Sequence, residues 1–122
     1  MAIRLTKPWQ ELTADAIRAL PGQLGVYQLA DGEGRVLYIG YAGGRSLFGL
    51  RSAIEEARAR LGASARRFRY EVNQQYMSRY EELLMLHVAD HGALPPETRD
   101  APRKLGRLSP VAAGKDDGSR AQ

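Results

Sequence analysis

The stretch from Leu24 to Gly40 constrains the fold of this chain more than any other. Two short runs rich in strand-forming residues, Leu24 to Ala30 and Arg35 to Gly40, flank Asp31-Gly32-Glu33-Gly34, four residues of turn-forming type. That pattern predicts a tight β-hairpin. If Ala30 pairs with Arg35, an antiparallel ladder keeps paired positions at a constant sum, which sets Tyr27 opposite Tyr38 and Gly25 opposite Gly40. Both phenols then project from one face of the sheet. Opposite residues on such a ladder have Cβ atoms roughly 4.5 to 5.5 Å apart, close enough for two hydroxyls to address one small group.

Helices are expected on either side. Thr13 is placed to cap a short helix running to about Leu20, with Ile17 and Leu20 buried and Pro21-Gly22 ending it. After the glycine-rich Tyr41-Ala42-Gly43-Gly44, Ser46 is expected to open a helix that reaches Leu61 and closes at Gly62. Leu47, Leu50, Ile54, Ala57 and Leu61 recur at helical spacing as its buried stripe. Arg66 to Asn73 alternates weakly and reads as a third strand. Ser78 to about His91 reads as the last helix, stopped by Gly92 and Pro95-Pro96. The order implies a small α/β (α+β) domain: a three-stranded sheet containing the hairpin, flanked by helices. Because the third strand follows a helical crossover, a mixed sheet is allowed. Residues 1–96 form the expected domain. From 97 to 122 periodicity is lost and Pro, Gly, Ser, Ala and charge dominate, so a disordered tail of net charge +2 is expected.

Composition removes several classes. The 122 residues suit one domain, and with no cysteine there is neither a disulfide framework nor a thiolate metal site. Met1 to Pro8 lacks the apolar core of a signal peptide, and no stretch approaches the ~20 apolar residues of a membrane span. A soluble cytoplasmic protein is the expectation. Net charge is +4, and fifteen of the eighteen cations are arginine. Arginine's planar fork matches phosphate oxygens, which suits a nucleic-acid partner. A high-GC genome produces the same bias, and lysine-poor, alanine-rich usage over the whole chain favours that explanation, whereas the cluster Arg66-Arg67-Phe68-Arg69 favours the functional one.

Leu20-Pro21-Gly22-Gln23-Leu24-Gly25-Val26-Tyr27, then ten residues, then Tyr38-Ile39-Gly40, resembles the GIY-YIG nuclease superfamily over about residues 20 to 95. The resemblance implies metal-assisted hydrolysis of phosphodiester bonds in DNA or RNA. It implies that Tyr27 helps activate water, that Tyr38 and a helix arginine hold the scissile phosphate, and that a glutamate binds Mg²⁺ or Mn²⁺. The physics agrees: charge building up in the transition state needs an arginine fork or a cation, and a phenol acts as a base only if its pKa of about 10 falls.

Arg51 is the preferred arginine, because it lies at the margin of the buried stripe one turn after Leu47; Arg58 shares that margin, while Arg45 points away from it. Glu82 is preferred over Glu81. Ser78-Arg79-Tyr80-Glu81 fits a capping box that gives Glu81 a structural task. Tyr41, Arg45 and Arg58 are expected to meet nucleic acid around this set. His87 and His91 sit at a ligand-like interval, but Leu84 and Val88 flank them and no carboxylate completes a zinc motif, so packing is their expected role. Tyr70, Tyr76 and Tyr80 are read the same way. Two further functions stay open: a GIY-YIG-like nucleic-acid-binding module without efficient cleavage, and a protein-interaction adaptor.

Overall fold

A computed structural model describes residues 3–98. Its elements in chain order are β1 (Gln10–Glu11), α1 (Ala14–Arg18), β2 (Gly25–Ala30), β3 (Val36–Ala42), α2 (Leu50–Leu61), β4 (Arg67–Val72) and α3 (Tyr76–His91), with a 3₁₀ turn at Gly62–Ser64. The described residues are mixed α/β, and their sheet has four strands rather than the expected three, in the order β1-β4-β2-β3. Every pairing is antiparallel. The extra strand is only two residues long and pairs Gln10 with Phe68 and Glu11 with Arg67. No alternation is possible over so short a segment.

The hairpin forms, but its register differs from the expected one. Asp31 donates its amide to the Arg35 carbonyl at 3.0 Å, while its carboxylate accepts from the Glu33 and Arg35 amides at 2.9 Å. The turn therefore includes Arg35, and Ala30 pairs with Val36. A bulge beside Leu29 adds one more residue, so Tyr27 pairs with Gly40, Leu29 with Tyr38 and Gly25 with Ala42. A slip of two positions preserves side-chain parity. The tyrosines remain on one face as diagonal neighbours, 5.9 Å between ring centres.

Strand β2 lies between β4 and β3, and all six of its residues are buried. Helices cover both of its faces, which explains why its sequence is apolar but for Gln28, whose Oε1 accepts from Arg69 Nε at 2.7 Å. On one face Tyr27, Leu29 and Phe68 pack against Leu50, Ile54 and Ala57 of α2, together with Ile17 and Leu20 around α1. On the other, Val26 and Ile39 pack against Tyr80, Leu83 and Leu84 of α3.

Helix boundaries follow local hydrogen bonding. Thr13 caps α1, accepting from the Ala16 amide at 3.1 Å, as the sequence predicts. Helix α2 starts at Leu50 instead of Ser46. Gly49 has φ +57, and the Leu50 amide is drawn to the Gln23 carbonyl at 2.9 Å, so the helix cannot extend backward through it. Leu47 consequently leaves the expected core and is 81% exposed, beside Phe48. Helix α3 begins earlier than expected, at Tyr76, where the Asn73 side chain accepts from the Gln75 amide at 2.8 Å. Ser78 is therefore inside the helix, and the Ser78–Glu81 capping box does not form. Gly92, at φ +81, closes α3 by donating to the Val88 carbonyl.

Glu97 and Thr98, assigned to the tail by sequence, pack on the outer edge of β3. The Glu97 amide donates to the Leu37 carbonyl at 2.9 Å, and the Ile39 amide donates to Thr98 Oγ1 at 3.2 Å. The rest of the expected tail lies outside the described residues. Among those described, no helix is long and apolar enough to cross a membrane.

Candidate nucleic-acid interface

Tyr27 and Tyr38 are brought together, and Gly40 makes this possible. A Cβ on Gly40 would lie 2.5 Å from Cζ and the hydroxyl oxygen of Tyr27, so the missing side chain provides the space occupied by the phenol. Tyr27 is buried, and its hydroxyl donates to the Ala53 carbonyl at 3.4 Å. Burial pushes this hydroxyl well above the ordinary phenol value, and Tyr38 adds to the effect while Arg60 opposes it. The shift is opposite to the one expected for a base. At neutral pH Tyr27 is a hydrogen-bond donor.

The arginine at this pair is Arg60, with Cζ 4.7 Å from the Tyr38 ring centre. Sequence reasoning placed the cation on the opposite margin of α2. Arg51 is half-buried there and bonded to the Leu20 carbonyl through Nε at 3.4 Å and Nη2 at 3.2 Å, so it ties α2 to the end of α1. Arg58 shares that margin and borders a depression with Glu11, Thr13 and Arg66. Arg60 lies one turn beyond Glu56, on the stripe that also carries Ser52. The detectable signal was this second polar stripe, which reaches the phenols across the small Ala53.

Glu82 is not at the tyrosine pair. It is bonded to Arg79, which also bonds Glu71 and the Ile3 carbonyl. Glu71 pairs with Val26 and therefore faces α3, on the side of the sheet away from the two phenols. Burial would push the Glu71 carboxyl up, yet hydrogen bonds from Arg79 and Asn73 hold it below its ordinary value. A divalent cation does not fit at Glu82, because it would face the guanidinium that this carboxylate already neutralises. Among the described residues, no three His, Asp or Glu side chains converge as ligands. Glu81, freed from the capping box, is exposed and makes no ion pair among the described residues. It lies one turn past Met77 on the same side of α3.

A groove of about 720 Å³ opens where β3 ends, lined by Tyr41, Arg45, Phe48, Glu56, Tyr76 and Met77 among others. The stripe Ser52–Glu56–Arg60 on α2 leads from it back toward Tyr38. Tyr41 and Arg45 thus meet in one concavity, and Arg58 does not join them. On α3, His87 and His91 lie with ring centres 4.3 Å apart; His87 is partly buried and burial lowers its pKa, whereas His91 is exposed.

Among known proteins, residues 3–90 match one family, described as a domain of unknown function. No curated protein matches the chain.

Proposed function

The chain belongs to the DUF7508 family, and we propose that it is a cytoplasmic, GIY-YIG-like nucleic-acid-binding module that grips phosphate along the β3 edge. The observation that carries this reading is Arg60, exposed and held over the Tyr38 ring. A guanidinium fork beside the partly buried Tyr38 phenol at one edge forms an oxyanion-binding set, and Arg45 adds a second cation at the groove. Binding ranks above hydrolysis because Tyr27 is driven toward its neutral form while Arg51 and Glu82 are bonded elsewhere. Retention of labelled DNA or RNA at increasing salt tests the proposal. Affinity should fall linearly on logarithmic axes. Binding that ignores salt, or that survives Arg60→Ala with its slope unchanged, would refute it.

Hydrolysis is the second reading, favoured by the exposed Glu81, one helical turn past the groove residue Met77. Its test is nicking of supercoiled plasmid with Mg²⁺ or Mn²⁺. Glu81→Gln should abolish nicking while Glu82→Gln spares it; no nicking by the parent protein removes the reading.

A further inference from the structure

The groove at the end of β3 has walls that phosphate contact alone does not use. Tyr41 is 41% exposed and Phe48 is 53% exposed. The Tyr41 ring is held in place, stacked on Tyr76 at 5.7 Å and 17° and meeting Tyr80 edge-on at 4.9 Å. Tyr76 in turn accepts from the Gly44 amide at 3.3 Å, and a Cβ on Gly43 would come within 2.8 Å of its ring. The glycine loop therefore closes directly onto an aromatic platform. Glu55 and Glu56, both exposed, line the same space.

Those carboxylates repel a phosphate but accept hydrogen bonds from an amino group, as on N4 of cytosine. Aromatic faces offer stacking to any base. The combination suits a base better than a backbone, and a volume of about 720 Å³ is in the range of small-molecule pockets. In a duplex the base faces are stacked and the pairing edges occupied. Only an unpaired base can present both at once. Resting on the reading that this edge binds nucleic acid, we infer that the groove takes one unstacked, amino-bearing base of a single strand. The base lies against Tyr41 or Phe48 with its amino group toward Glu55 and Glu56, and Arg45 meets the adjoining phosphate.

Fluorescence anisotropy with labelled oligo-dC, oligo-dT and a duplex, each of about 12 nucleotides per strand, tests the inference on the full chain. Oligo-dC should bind tighter than both others. Phe48→Ala, at an exposed loop position, should weaken oligo-dC on the order of ten-fold while leaving duplex affinity unchanged. Replacing Glu55 and Glu56 by Ala should erase the preference for dC over dT, read as a ratio because loss of the acids also raises general attraction for phosphate. Equal binding of single strand and duplex, or indifference to Phe48→Ala, overturns the inference and leaves the phosphate reading intact. Absence of salt-sensitive binding to all three overturns both.

Discussion

Two arginines on opposite faces of one sheet show how differently this chain uses the same side chain. Arg79 is 9% exposed and engages Glu71, Glu82 and the Ile3 carbonyl. Arg60 is exposed, lies over the Tyr38 ring, and makes no ion pair among the described residues. Saturation by partners is what separates them. A guanidinium surrounded by carboxylates and carbonyl oxygen has its charge and donors committed, whereas one supported by an aromatic face keeps its fork available. The arginine content of the sequence cannot make that distinction, and neither can net charge.

The largest effect expected is at Arg79. Arg79→Ala leaves two partly buried carboxylates without their cation and should cost about 3 to 5 kcal/mol in chemical denaturation. A loss below about 1 kcal/mol would mean the cluster is solvated and the contrast false. Next is Gly40→Ala, which forces a methyl group into the Tyr27 phenol and should cost about 1 to 3 kcal/mol. A smaller pH effect comes from Glu71. Its folded pKa is depressed, so its stabilising contribution is complete above the ordinary carboxyl value of 4.5 and is lost as pH falls through the lower folded value. Glu71→Gln should flatten that part of the stability profile, measured as the urea midpoint against pH. The smallest effect on stability is expected at Arg60. Arg60→Ala should leave the melting temperature nearly unchanged yet lower the salt slope of nucleic-acid binding by about 1. Substantial unfolding there would place Arg60 with Arg79 as a structural cation.

The sequence disclosed features that depend on neighbours along the chain. The hairpin, the Thr13 cap, the Gly62 and Gly92 helix ends and the strand around Phe68 all follow from local patterns. Features decided across the fold were hidden. The register depended on an Asp31 turn that absorbs Arg35 and on a bulge beside Leu29, neither visible in a list of strand-forming residues. The start of α2 depended on a bond from Leu50 to Gln23, 27 positions away. For the site, the tyrosine pair was legible because an even slip in register preserves its face. Its cation was not. The buried stripe of α2 has two polar margins, one carrying Arg51 and Arg58 and the other Glu56 and Arg60, and one sequence does not say which margin meets the sheet's tyrosines. Glu82 was preferred through a capping box that dissolved once α3 began at Tyr76.

The short segment at Glu97 and Thr98 covers an edge that other chains could use. As the terminal strand of the sheet, β3 would otherwise offer its Leu37 carbonyl and Ile39 amide to any extended peptide, including the same strand of another molecule. Both groups are taken by the chain's own residues, with Thr98 buried in the process. Shortening the protein to end before Pro95 would uncover that ladder and turn a covered edge into a template for self-association.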